Sequence, residues 1–410
     1  MAKKLILVLA LLLVYPLQIG HTEGDDMLRA AFTRFNSLWI LENNEEFPIH
    51  ENVKIGKFHW SHDGKWLAYE VTPLDVQDAP SQIWLYNTES NIKKKIKIQG
   101  HNPVWNPKNL SFAFLSDSIL NVVEVSNETP VIHQLTGGVS SFTWDAKGIN
   151  LIAAAKATLF PDGWSHPRLY EVHWGLEKQN QEMDVKVTPL QTIASPLKYE
   201  DLSILAINVD NFSWSVDGKN LAMTVTPTAS WSADSNMLSV YVKENKLFIP
   251  LGEVLMESGW VKWAPTKPVL ASIQGGGRLE GGVKNKTLTT STIIPNYKKI
   301  HTPKGYADIH YDWINDEKLV VARGKETQSA EEPFLATLYL VDLKGNDAVK
   351  LPAPPSGASD IEPYVLAAGK KLAWIREDEN GKRHVWSAKV DGSDAQLVLE
   401  NVLEIVWFKK

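Results

Sequence analysis

Apolar and polar positions alternate along most of this chain in short runs of strand length. The clearest run is Phe58-His59-Trp60, where an aromatic residue stands two places before the tryptophan, so both rings share one face of an extended segment. The polar stretch Ser61-His62-Asp63-Gly64-Lys65 follows and predicts a tight reversal, because Asp-Gly suits the backbone of a hairpin turn. Beyond it the run Trp66-Leu67-Ala68-Tyr69 predicts a second strand. Third strands are read at Gln82 to Asn87, Leu238 to Val242, Leu338 to Asp342 and from His384 onward, each trailed by a fourth. No long amphipathic helical pattern competes with them after the first 24 residues.

The unit repeats. Residues 58–73 and 212–227 agree at 11 of 16 positions although they lie 154 residues apart. Weaker copies centre on Trp105, Trp144, Trp263 and Trp313, a copy without the tryptophan passes through Leu366, and the last ends at Trp407. Most steps between copies are 39 to 53 residues, the period of a four-stranded propeller blade, and only the 70-residue step from Trp144 to Trp214 has room for a further unit. The chain also begins in mid-unit: Arg29 to Arg34 reads as a second strand, Leu38 to Leu41 as a third and Phe47 to Ile49 as a fourth, while the end supplies a first strand. The expectation is an all-β, single β-propeller of eight antiparallel blades, with seven as the alternative count. Its closing blade is shared by about 28–50 and 402–408, which removes the exposed sheet edges.

The phrase Trp-Ser-x-Asp-Gly-Lys-x-Leu-Ala at Trp60 and Trp214, with a following strand such as Leu338-Tyr-Leu-Val-Asp-Leu-Lys-Gly345, resembles the repeat of the TolB-like β-propellers, distant relations of WD repeats. The resemblance covers most of the chain beyond the first 24 residues, but only these two copies are sharp. It implies a propeller fold, an exported protein and a protein-binding platform. In TolB itself a small α/β domain precedes the propeller, whereas only some 35 residues separate the leader from Trp60 here, and the count of eight exceeds the six blades typical of TolB.

Lys3-Lys4, the apolar run Leu5 to Tyr15 and the small or polar residues to Gly24 have the three-part layout of a secretory signal, so 1–24 is expected to be a signal peptide and 25–410 the propeller. No clear small-residue cleavage site is visible, which leaves an uncleaved membrane anchor as the alternative. The absence of cysteine excludes disulfides, thiolate metal sites and cysteine nucleophiles, and in a large exported chain it fits a bacterial origin. A formal net charge of -6 argues against nucleic acid as a partner.

Candidate chemistry follows from loop length. In an up-and-down blade the second-to-third connections open on one face of the disc, and here they are long, at 72–81, 157–168, 226–236, 275–286 and 324–333, whereas the first-to-second turns are minimal. The richest is Phe160-Pro161-Asp162-Gly163-Trp164-Ser165-His166-Pro167-Arg168; with Trp231, Asp75, Asp78 and Asp234 it offers aromatic faces for stacking and charged groups for orientation. The alternative is that Trp164 and Trp231 plug loops against the disc. Gln274 to Gly282 lacks the strand-to-helix context and Gly-Lys-Ser/Thr ending of a phosphate loop and reads as a flexible hairpin connection. Asp308-Ile309-His310-Tyr311-Asp312 could touch a cation, although a hydrogen-bonded set beside the next blade is the simpler reading, and His59 and His62 flank a repeat tryptophan at positions that other copies fill with Ser, Thr, Val or Lys, which makes them candidates for a ligand role needed in one blade.

No Gly-x-Ser-x-Gly elbow, His-Glu-x-x-His pair or calcium loop is present, and no α/β hydrolase pattern follows the repeats. The expected function is therefore non-enzymatic binding of a protein, peptide or cell-envelope polymer outside the cytoplasm, secreted, periplasmic or at the cell surface, with no cofactor and no metal. The tentative ligand-binding residues are Asp162, Trp164, His166, Arg168 and Trp231. The competing expectation is an extracellular hydrolase or lyase acting on a carbohydrate or lactone at the channel mouth, with Asp162, His166 and Arg168 as acid, base and anchor.

Overall fold

A computed structural model of the chain describes residues 28–126, 129–176, 183–345 and 347–408; the expected signal peptide lies outside them. Eight four-stranded antiparallel sheets are arranged as the blades of a propeller. Blade 1 shows the plan, with strands Val53–Trp60, Trp66–Pro73, Gln82–Asn87 and Lys93–Gln99 running from the channel to the rim. Blades 2 to 7 occupy 101–136, 141–192, 208–254, 261–300, 306–350 and 359–399. Blade 8 joins both ends of the chain: its first strand is Ile405–Trp407, which pairs with Ala30–Arg34, and Ser37–Glu42 and Glu45–His50 complete it. Ring closure is as the sequence predicts. The long interval between Trp144 and Trp214 holds no ninth blade; a hairpin of Leu159–Phe160 with Gly163–Trp164, two long strands and a second hairpin of Leu197–Tyr199 with Leu202–Ile204 fill it.

The core is a set of layers between blades, because each sheet is covered by a neighbour on both faces. Along the second strand of blade 1, Leu67 and Tyr69 pack towards blade 8, while Trp66 and Ala68 pack towards Phe112 and Phe114 of blade 2. Two-sided burial explains why second strands read as continuous apolar runs while the fourth strands at the rim alternate. In the turns, Ser61 Oγ donates to Asp63 Oδ1 (2.6 Å) and accepts from Trp66 N, and Asp63 Oδ1 accepts from Lys65 N. Ser215, Asp217, Lys219 and Asn220 repeat these bonds. Gly64 and Gly218 stand at φ 70° and 66°, which fixes the glycine of the motif.

The repeat tryptophans link neighbouring first strands. Trp60 Nε1 donates to Val406 O, Trp105 to His59 O, Trp144 to Val104 O, Trp263 to Ser213 O and Trp313 to Lys262 O, at 2.8 to 3.1 Å. Each acceptor is the residue just before the repeat tryptophan of the preceding blade. Trp214 makes the equivalent bond one residue on, to Trp144 O. In blade 7 the position belongs to Val365, which pairs with Leu372 as the tryptophans pair with their leucines, and not to Leu366. There the backbone takes over: Val365 N donates to Asp312 Oδ2 of blade 6 at 2.9 Å. Trp407 stacks on Tyr364 with ring centroids 6.3 Å apart. The Trp60 bond spans the chain ends, beside Arg29, whose guanidinium lies 4.8 Å from the Trp60 ring, 5.3 Å from the Phe408 ring and is paired with Glu42.

Trp263→Phe keeps most of the buried ring but leaves Ser213 O without its donor, so a loss of about 1–3 kcal/mol in urea unfolding is expected. An unchanged midpoint would contradict the role given to the indole bond.

Candidate functional site

Because strands alternate in direction, the second-to-third loops and the crossovers from each fourth strand to the next first strand share one face, and the short turns share the other. In blade 3 the loop on the long-loop face folds into the 159–164 hairpin, held at its base by Ser165 N donating to Thr158 O and by Ala157 N donating to Ile207 O on the way into blade 4. Asp162 lies at its tip and is exposed. Leu159, Phe160 and Trp164 are 61%, 52% and 36% exposed, and Trp231, on the one-turn helix Ala229–Ser232 of blade 4, is 67% exposed. Trp164 and Trp231 are therefore presented to solvent and do not plug the disc. His166 is fixed by a 3.1 Å hydrogen bond between Nδ1 and Ile193 O, and Arg168 opens the third strand, paired in register with Ala155 and Thr192.

Between blades 4 and 5 the same face holds a cavity of about 450 Å3 whose wall includes Leu255, Met256, Leu279, Glu257, Glu280 and Arg278, and none of Asp162, His166 or Arg168. Two loops form it. Arg278 donates from Nε and NH2 to the two oxygens of Asp234 at 2.8 and 3.0 Å and to Ser230 O at 3.1 Å, so its guanidinium is committed to holding the loops together. Underneath, the buried Lys286 ammonium donates to Gly276 O, Gly277 O and Lys284 O, and burial holds its pKa below the ordinary lysine value. A Cβ on Gly275, at φ 124°, would lie 1.8 Å from Asn285 O. Gly275, Gly276 and Gly282 thus serve close packing in a pinned wall, where the sequence suggested a flexible connection, while Gly277 and Gly281 face open space. Burial, then the nearby Glu280 charge, raises the pKa of Glu257.

The first strands of blades 1, 2, 4, 6 and 7 carry an irregularity just above the repeat tryptophan position, with Asn102, Asn211 and Glu362 at positive φ. In blade 6, where the irregularity lies between Asp308 and His310, Asp308 is locked in a fully buried pair with Arg323, and Asp312 accepts from Lys262 and from Val365, so both carboxylates of the 308–312 segment serve structure. Among the described residues no cluster of three or more acidic or histidine side chains is arranged to hold a metal ion. His59 is exposed on the first strand of blade 1, whereas His301 and His310 are held near pKa 4 by burial, reinforced by Lys299 and Arg323 for the first of these and by Lys262 and Arg383 against the opposing charge of Glu362 for the second.

No protein-family model matches the sequence, and no curated protein matches it. Solved structures do. They include Porphyromonas gingivalis dipeptidyl peptidase 4, with a TM-score of 0.55 and 11% identity over 93% of this chain, and a eukaryotic initiation factor, with a TM-score of 0.54 and 13% identity over 92% of this chain and 87% of that one. TolB from Acinetobacter baumannii aligns at TM-score 0.41 and 13% identity over 94% of this chain and 68% of its own. The likeness is one of fold. The chain spans 58% of the length of the dipeptidyl peptidase. No helix among the described residues is long and apolar enough to cross a membrane.

Gly275→Ala must displace the loop wall and is expected to cost about 1–3 kcal/mol, whereas Gly281→Ala, where nothing lies within 4 Å of the added carbon, should stay within about 0.5 kcal/mol in thermal unfolding. Equal effects would show that the wall is slack. His301 and His310 predict a pH dependence: the unfolded chain takes up protons near pH 6.5 that the native chain refuses until about 4, so stability is level above that range and falls as pH drops through it. Glu404, raised by burial and by Glu362, works in the opposite sense at the acid end. Urea midpoints between pH 7.5 and 4.5 should show the fall, and His310→Gln should flatten it; a flat native profile would contradict the burial of these rings.

Proposed function

We propose that this chain is an exported, non-catalytic recognition module that binds a protein, peptide or cell-envelope polymer through the long-loop face. The observation that carries this reading is the placement of Leu159, Phe160, Trp164 and Trp231, all exposed, on loops whose bases are hydrogen-bonded to the rigid disc. Large aromatic side chains lose little conformational entropy on binding and dominate recognition surfaces, so their exposure on anchored loops favours a partner that covers them. The cavity between blades 4 and 5 lies on the same face as Trp231 and adds a concave element to the surface.

The enzymatic alternative requires Asp162, His166 and Arg168 to converge on a bound substrate. Asp162 at a hairpin tip and His166 tied to Ile193 O offer little support for that arrangement. The peptidase activity named for the dipeptidyl peptidase is not carried over, because 11% identity speaks for fold only.

The test is capture from an envelope extract of the source organism, with the native chain beside the variant Trp164→Ala, Arg168→Ala, Trp231→Ala. A partner retained by the native chain and reduced about tenfold or more by a variant of unchanged melting temperature is the expected result. Equal recovery on both would place binding elsewhere, and turnover of a glycoside, lactone or peptide panel by the purified chain would overturn the non-catalytic reading.

A further inference from the structure

We infer that the Asp162-Gly163 bond is a self-modification site, at which aspartate rearranges to isoaspartate on the tip of the blade 3 hairpin. An aspartate followed by glycine can react with its own backbone, because glycine has no side chain to shield its amide nitrogen. The Gly163 nitrogen attacks the side-chain carboxyl carbon of Asp162 and forms a new C–N bond. The carboxyl hydroxyl leaves with the amide proton as water, and a five-membered succinimide results. Water then adds at either ring carbonyl and breaks one C–N bond. Opening at the side-chain carbonyl restores aspartate, whereas opening at the main-chain carbonyl leaves isoaspartate, whose backbone runs through the side-chain methylene. The product keeps the mass and the charge, and the step needs no reactant besides water.

The chain has four Asp-Gly pairs, and one of them stands apart. The Asp63 carboxylate accepts from Ser61 Oγ and Lys65 N, that of Asp217 from Ser215 Oγ and Lys219 N, and that of Asp391 from Ser393 Oγ and N. Their glycines are crowded as well: a Cβ on Gly64 would lie 2.5 Å from the Phe408 ring, one on Gly218 3.0 Å from Ala146 Cβ and one on Gly392 2.7 Å from Pro352 Cδ. To react, such an aspartate must give up two hydrogen bonds and build a ring against packed side chains. The Ser393 bonds also hold Asp391 below the usual carboxylate pKa, in the ionised form that does not lose water. Asp162 has neither restraint. It is exposed, no hydrogen bond or ion pair reaches its carboxylate among the described residues, and nothing lies within 4 Å of a Cβ placed on Gly163. Only two residue pairs, Leu159 with Trp164 and Phe160 with Gly163, close the hairpin behind it. One added backbone atom between Phe160 and Gly163 lengthens the turn that carries Trp164 and so reshapes the aromatic tip of the face proposed to bind. The rearrangement itself does not depend on that proposal, because its readout is covalent.

The experiment is incubation of the purified native chain in mildly acidic buffer, well below its melting temperature, beside the same chain unfolded in guanidinium chloride. Isoaspartate is located over time by peptide mapping with an Asp-specific endoproteinase, which does not cut at the rearranged residue. Asn380-Gly381 reaches the same kind of ring by losing ammonia, and its product is told apart by its changed mass. The expected result is isoaspartate at Asp162 in the native chain at a rate close to that in the unfolded one. Asp63, Asp217 and Asp391 should be slower than Asp162 by about tenfold or more while native, since two hydrogen bonds must break first, and comparable to it once unfolded. Asp162→Glu, which would need a larger ring, should abolish the signal at that position and leave the melting temperature unchanged. Protection of native Asp162 as strong as that of the three turn aspartates would overturn the assignment, as would isoaspartate appearing first in one of those turns. Slow rearrangement of the three turns even when unfolded would also overturn it, because local sequence and not the fold would then set the difference.

Discussion

The bond from a repeat indole to a first-strand carbonyl of the preceding blade, made by Trp60, Trp105, Trp144, Trp214, Trp263 and Trp313, is the constraint on which the rest of the molecule depends. A blade cannot bury its own two faces, so it is stable only between neighbours, and the register between neighbours must be fixed at the crowded inner edge. The indole does both: its ring fills the layer between sheets while its N–H sets the height of one first strand against the next. The link from Trp60 to Val406 carries the same rule across the chain ends. Blade 7 shows the constraint is geometric and not a matter of residue identity, since Val365 N and Asp312 make the corresponding connection without a tryptophan.

A disc fixed in this way leaves the connections on the two faces free to differ. The turns after first strands are pinned by their own Ser-Asp bonds and have no length to spare. The loops after second strands begin from buried, two-sided sheets and can extend outward while their bases stay fixed. In blade 3 this gives a protruding apolar hairpin, and in blades 4 and 5 a pair of loops clamped by Asp234, Arg278 and Lys286 around a cavity. Preorganised loops of this sort reduce the entropy lost on binding, which is why the proposed function falls on this face.

The architecture was legible in the sequence because alternation, Asp-Gly turns and tryptophan spacing are local signals repeated many times. The closing blade was legible from the out-of-phase ends, Arg29 to Arg34 and Trp407. The irregularity in five of the first strands was hidden, since Asn102 and Asn211 give way to Glu362 in blade 7 and what these positions share is the backbone conformation. Of the site, the exposed aromatics of 160–168 and Trp231 could be named from composition and loop length. Glu257 could not, because it sits in an unremarkable crossover and gains meaning only beside Glu280 from the next blade's loop. Arg278 and the glycines around it carried a signal, a charged pair inside a glycine run, but the packing that makes the glycines necessary comes from Asn285, Glu253 and Thr327, which are distant in sequence or on other strands.

The central claim is that one face of a rigid, ring-closed disc does the binding. Hydrogen exchange of the native chain, free and with its captured partner, tests it most directly. The account predicts slowed exchange confined to 157–168, 226–236 and 275–286, with the turns at 61–65 and 215–219 unchanged. Protection of those turns or of the rim strands, with the long loops unaffected, would contradict it.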